Sequence, residues 1–245
     1  MALSEQEIRQ LTDEIVRSLS GIRPRMDESV APTAAASPAD SGWLCDTADQ
    51  AVRAAKAAQA QLAALTLEKR GELIAAMRKA AIDHAEHLAR MAHEETGYGH
   101  ISHKVEKNLL VARRTPGIED LVTVAHTGDQ GMMLEERAPF GVVGSITPST
   151  NPTSTIINNA ISIIAAGNAV VFNPHPGAKR CSQEAMRLLN AAIASAGGPG
   201  ALITTVREPT MESGQAIMLH PDIPLLSITG GEAVVQVAMK TGKKV

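Results

Sequence analysis

From Phe140 to Thr241 the sequence alternates short apolar runs with longer amphipathic stretches, and this alternation limits the fold more than any other feature. Phe140–Thr147, Ala169–Asn173, Leu202–Val206 and Leu225–Thr229 have strand length and are rich in β-branched residues. Helices are expected between them. The first opens on Asn151 as cap, with Pro152 at its first position, and closes at Gly167. The others are expected over 178–196, closed by Gly197-Gly198, over 210–219, and over 232–241, closed by Gly242. Strands joined by helix-length crossovers form right-handed βαβ units. The expected class is therefore α/β, a parallel Rossmann-like sheet with flanking helices. The alternation reaches Lys243-Lys244-Val245 where another strand is due, which predicts that these residues are part of a longer chain.

Ahead of this region, residues 47–114 read as helical. Thr47 and Gln50 have capping-box spacing at the head of an Ala-rich helix ending near Leu65. Thr66 caps a longer helix with Ile74, Met77, Ala81, His84, Leu88 and Met91 on one stripe, broken by Gly97 and Gly99. A third helix covers 101–114. Residues 121–138 then suit a β-ribbon turning at Gly128-Asp129-Gln130-Gly131. At the other end, residues 4–19 form an amphipathic helix carrying Ile8, Leu11, Ile15 and Leu19, with Ser4 and Glu7 in capping-box spacing. Residues 21–46, with Pro24, Pro32 and Pro38, read as a linker. The expected organisation is a helix at 1–20, a linker at 21–46 and a domain over 47–245 that includes the ribbon.

Composition narrows the function. A net charge of −3 gives no bulk electrostatic case for nucleic acid or an anionic membrane. No apolar run approaches the roughly 20 residues of a membrane span. Two cysteines, Cys45 and Cys181, supply no disulfide framework, and a cytoplasmic location is the default. The histidine pairs His84/His87 and His100/His103 have no cysteine or carboxylate to complete a ligand set, so no metal site is expected. Cys181 falls in a first helical turn, where it is either a nucleophile with a lowered pKa or a small apolar packing residue; packing is the expectation.

In an open parallel sheet, ligands bind at the carboxyl ends of the strands, against helix N-termini. Those loops here are 147–152, 173–177, 207–210 and 229–232, all rich in Thr, Ser, Asn, Pro and Gly. The Gly-x-Gly-x-x-Gly fingerprint of the standard dinucleotide fold is absent.

Ala138-Pro139-Phe140-Gly141-Val142-Val143-Gly144-Ser145-Ile146-Thr147-Pro148 resembles the strand entering the cofactor site of the aldehyde dehydrogenase superfamily. Ser149-Thr150-Asn151-Pro152-Thr153-Ser154-Thr155 resembles its CoA-acylating branch, since hydrolytic members carry Trp-Asn where this chain has Ser149-Thr150. Asn173-Pro174-His175-Pro176 with Lys179 is similar to the same branch, and hydrolytic members usually have lysine at the position of Asn173. Glu208-Pro209-Thr210 and Ile228-Thr229-Gly230-Gly231 complete a resemblance that runs from about Ala48 to Val245. The helix and linker ahead of it resemble the encapsulation peptides of bacterial microcompartment cargo, as in the ethanolamine, choline and propanediol utilisation enzymes.

The resemblance implies an enzyme that converts a short aldehyde, acetaldehyde or propionaldehyde, to an acyl-CoA. NAD would be the cofactor and coenzyme A the co-substrate; NADP stays open. It implies cofactor contacts at Thr147, Pro148, Ser149, Thr150, Asn173, His175, Pro209, Thr229, Gly230 and Gly231. Asn151 is the candidate oxyanion donor, although Thr150 holds the usual asparagine position in an ungapped alignment. The family nucleophile is a cysteine that neither Cys45 nor Cys181 matches, so these residues alone are expected to be inactive. A homo-oligomer through residues 121–138 and a shell-protein partner for residues 1–20 are also implied. One alternative stays open, a non-catalytic nucleotide-binding or microcompartment-anchoring module; against a further rival, the dehydrogenase half of a bifunctional aldehyde–alcohol dehydrogenase, stand the N-terminal peptide and linker.

Overall fold

The computed structural model describes residues 42–245. The expected helix at 4–19 and the linker up to residue 41 lie outside the described residues.

The sheet is built from β1 (Leu44–Cys45), β4 (Val142–Thr147), β5 (Ala169–Pro174), β6 (Ile203–Val206) and β7 (Leu225–Ile228). Its order is β1-β6-β5-β4-β7, and every pairing is parallel. All six residues of β5 are buried, as a central strand covered on both faces requires. Beyond β7, Lys244 forms a single parallel bridge to Leu225, its carbonyl accepting from the Leu226 N–H at 2.8 Å.

The helices are α1 (Ala48–Ala63), α2 (Leu67–Asp83), α3 (Ala85–Thr96), α4 (Ile101–Arg114), α5 (Pro152–Ala165), α6 (Lys179–Ser195), α7 (Met211–Leu219) and α8 (Glu232–Met239). One face of the sheet carries α1 and α7, which also pack on each other. The other carries α5 and α6, and α2, α3 and α4 form a further layer over them. The shared core includes Val52, Leu62, Ile157, Ile161, Phe172, Met186 and Ile193. A Cβ on Gly198 would stand 2.7 Å from Ile193 Cγ2 and 2.8 Å from Leu73 Cδ2, so only glycine lets α2 approach the end of α6 this closely.

Two expectations are corrected. The helix read as continuous from Thr66 to Gly97 is broken at His84, where φ is −107° and ψ is 12°. No glycine or proline marks the break; the Asn108 amide on α4 donates to the Ala85 carbonyl at 3.1 Å beside it, a tertiary contact. The linker expectation does not hold for residues 43–45, because Trp43 is buried and Leu44–Cys45 pair with Thr205–Val206. Capping at Thr47 follows expectation on one side only. Its hydroxyl accepts from the Gln50 N–H, but the Gln50 side chain accepts from Asp46 N–H rather than from the cap itself.

Residues 124–135 form the ribbon, β2 (Val124–Gly128) antiparallel to β3 (Gly131–Glu135), with every residue of both strands exposed.

Candidate nucleotide cleft

Strand order reverses at β4. The chain passes from β4 to β5 and β6 on one side through α5 and α6, then returns through α7 on the opposite face to place β7 on the other side of β4. The carboxyl ends of β4 and β7 therefore flank a topological switch point, where two crossovers leave in opposite directions and open a crevice. A cleft of about 470 Å³ occupies it, within the size range of small-molecule sites.

The polar wall comes from the loop after β4. Thr147, Pro148, Ser149, Thr150 and Asn151 all line the cleft. Asn173 and His175 after β5, and Thr229, Gly230 and Gly231 after β7, complete it. The structure thus gathers every loop residue singled out above except Pro209, which is buried and absent from the wall. The apolar floor was not foreseen. It includes Met211, Met218 and Val234, from the inner faces of α7 and α8. Methionine and valine at helical spacing give only a core signal in sequence.

A buried polar network braces the crevice from beneath. The Asn159 amide on α5 donates to Ser145 Oγ at 3.1 Å and Ser227 Oγ at 3.3 Å, joining β4, β7 and α5. Asn173 is itself engaged. Its Nδ2 donates to the Thr210 carbonyl at 3.1 Å, and its Oδ1 accepts from Ser213 Oγ at 2.6 Å. Thr210 and Ser213 also form the capping box of α7. Asn173 therefore positions the wall, with both ends of its amide committed to α7. His175 Nδ1 accepts from the Gly177 N–H at 3.0 Å, and desolvation holds its pKa below the ordinary histidine value. Its Nε2 is thus the protonated nitrogen of a neutral ring.

Thr147 is 2% exposed, and its Oγ1 has no hydrogen-bond partner among the described residues. At Asn151, Oδ1 accepts from Lys107 Nζ at 2.9 Å, which leaves the amide N–H₂ as the free end of that side chain. Lys104 Nζ donates to the Thr150 carbonyl at 3.1 Å. Both lysines are clamps from α4 that sequence reasoning missed; their i, i+3 spacing was the only signal.

Cys181 is buried against Ala92, Ala178 and Met91. Burial, and then the Glu95 carboxylate, push its thiol pKa well up. Glu95 accepts from the Arg180 and Cys181 N–H groups at 2.8 and 2.7 Å, so the charge that would activate a thiolate at this helix end is already answered. Cys181 packs, as expected. Among the described residues no group of three or more His, Cys, Asp or Glu side chains could hold a metal, and no helix is long and apolar enough to cross a membrane.

The aldehyde dehydrogenase family model matches residues 20–245. The chain belongs to the aldehyde dehydrogenase family. It is 47% identical over 242 residues to an acetylating acetaldehyde dehydrogenase of Bilophila wadsworthia, covering 98% of this chain and 49% of that one. Among solved family structures, a propionaldehyde dehydrogenase from the Clostridium phytofermentans fucose utilisation microcompartment superposes with a TM-score of 0.81 at 50% identity, covering 82% of this chain and 46% of that one. A Rhodopseudomonas palustris propionaldehyde dehydrogenase with bound propionyl-CoA gives 0.81 at 45% identity, covering 86% and 48%. The chain spans about half the length of these family members.

Proposed function

We propose that residues 42–245 are the dinucleotide-binding part of a CoA-acylating aldehyde dehydrogenase. In the proposed reaction a short aldehyde, the thiol of coenzyme A and NAD+ give the acyl-CoA, NADH and a proton: the aldehyde hydride passes to NAD+ and the thiol proton is released. The observation that carries this reading is the cleft at the switch point, with Gly230 and Gly231 at the head of α8. A Cβ on Gly230 would meet nothing closer than Val234 at 3.7 Å, and one on Gly231 nothing within 4 Å. The space both leave open faces a helix N-terminus, where a pyrophosphate is favoured. NAD, bound there, supplies the two-electron acceptor. Thr147, Pro148 and Ser149 line its nicotinamide-ribose side, His175 faces the adenosine ribose, and Asn173 holds that wall in place. The Asn151 amide N–H₂, oriented by Lys107, is the oxyanion donor of this chain.

Similarity to enzymes named as acetylating and as binding propionyl-CoA supports acetaldehyde or propionaldehyde as substrate. The named microcompartment origin of one relative supports residues 1–20 as a peptide for a shell protein and a location inside such a compartment. The exposed ribbon residues Val124, Met132, Met133 and Leu134 support self-association through residues 121–138.

Calorimetric titration of this chain with NAD tests the cofactor reading. A Cβ at Gly230 meets only ordinary contact with Val234, so Gly230→Val should leave circular dichroism unchanged while NAD affinity falls by at least about 30-fold, the scale of excluding one phosphate contact set. Equal NAD binding by Gly230→Val and the unmodified chain would put the cofactor elsewhere.

A further inference from the structure

Thr150 and Asn151 line a second concavity, of about 670 Å³, outside the nucleotide cleft. Its other wall is the start of α4 and the residue before it: His100, His103, Lys104 and Lys107. The two imidazoles stand edge to face with 5.3 Å between ring centroids. Lys104 is only 6% exposed, yet its ammonium makes one hydrogen bond, to the Thr150 carbonyl. Lys107 makes one, to a neutral amide oxygen. Among the described residues neither lysine has a carboxylate in ion-pair reach, and the sole carboxylate on the wall, Glu106, is on an exposed residue. Burial lowers the Lys104 pKa, and neighbouring Lys107 pushes it the same way against an opposing effect of Cys181. Buried charges are ordinarily paired, because an unpaired one carries its full desolvation cost. Among the described residues Lys104 is an ammonium with most of its donors unused, at the edge of a concavity lined by four more nitrogen-bearing side chains, His100, His103, Lys107 and Asn151.

We propose that this concavity is an oxyanion site that takes a phosphate group, with Lys104 and Lys107 as its charge donors and His100 and His103 as flanking donors. The donor set favours phosphate over carboxylate. A planar carboxylate is best matched by the two-pronged guanidinium of arginine, and none lines this wall; lysines are compact point charges suited to a tetrahedral, multiply charged oxyanion. The phosphate has two sources, free inorganic phosphate or the phosphate arm of a larger molecule such as coenzyme A. Neither requires the dinucleotide reading of the neighbouring cleft.

The test is an NMR titration of this chain, following the His100 and His103 ring resonances, with sodium phosphate, sodium acetate and sodium chloride at matched ionic strength, and separately with coenzyme A. Saturable displacement by phosphate, not reproduced by chloride or acetate, is expected. Lys107→Gln, an exposed substitution, should raise the half-saturating concentration at least about threefold, and Lys104→Met at least about tenfold, as loss of a charge-assisted contact predicts. Half-saturation at a lower concentration of coenzyme A than of phosphate would assign the site to the phosphate arm, and the reverse order to the free ion. Displacement that follows ionic strength alone would overturn the proposal, as would unchanged half-saturation in Lys107→Gln. The second criterion decides even where Lys104→Met fails to fold. NAD titration of the same samples reads the other cleft, so failure of one site is seen apart from failure of the other.

Discussion

Asn173 Nδ2 donates to the Thr210 carbonyl at 3.1 Å, tying the end of β5 to the cap of α7. Asn173→Ala removes this bond and leaves the Ser213 hydroxyl without its acceptor on β5. Urea unfolding of the variant should show a loss of about 0.5–1.5 kcal/mol, the net worth of a hydrogen bond whose remaining partners are partly exposed. A loss confined to NAD affinity, with stability unchanged, would make Asn173 a direct ligand instead of a brace.

Thr147 predicts the opposite sign. Its hydroxyl is buried without a partner among the described residues, so Thr147→Val removes an uncompensated polar group at nearly constant shape. The ligand-free variant should gain about 1 kcal/mol in urea unfolding. A loss of stability would mean that the hydroxyl is satisfied by ordered water.

The two cysteines should separate in alkylation. Cys181 is fully buried with a raised pKa, whereas Cys45 is partly exposed. Iodoacetamide followed by peptide mass spectrometry should leave Cys181 unmodified in the native chain and modify both in urea. Native labelling of Cys181 faster than Cys45 would contradict its packing role.

Glu184 gives a pH dependence. The Arg187 guanidinium foremost, with His87 assisting against desolvation, holds its carboxyl below the ordinary glutamate value of 4.5. A depressed folded pKa contributes stability that is present above the unfolded value and lost as pH falls through the folded one. Glu184→Gln should therefore be less stable than the unmodified chain by up to about 1 kcal/mol at pH 7, the scale of a partly exposed ion pair. The gap should close below pH 4.5. A gap that persists at pH 3 would assign the effect to packing.

Much of this architecture is legible in the residues. Each strand of the second half is a short, largely apolar run of strand length, and Gly167, Gly197 and Gly242 stop helices where a left-handed φ is needed. The wall of the cleft was legible for the same reason: loops at strand ends are fixed once the strands are. What the sequence hides is tertiary. The break at His84 has no local breaker, and Asn173 meets Thr210 and Ser213 only because α7 folds back across the sheet. Lys104 looks like a solvated lysine until α4 packs beside the Thr150–Asn151 turn.

The ribbon of β2 and β3 has a consequence for how this molecule opens. Among the described residues each of its strands has a single partner and no covering layer, whereas β5 lies between β4 and β6 with all its residues buried. A lone two-stranded ladder is marginal in water. In a protomer free of other copies its amide protons should therefore exchange with deuterium through local opening, at a free energy far below that of the whole domain, while those of β5 wait for global unfolding; slowed exchange of the ribbon at higher protein concentration would report the self-association proposed above. One exchange time course would then separate into a fast population from residues 124–135 and a slow one from residues 169–174, which measures the cooperativity of the sheet without any denaturant.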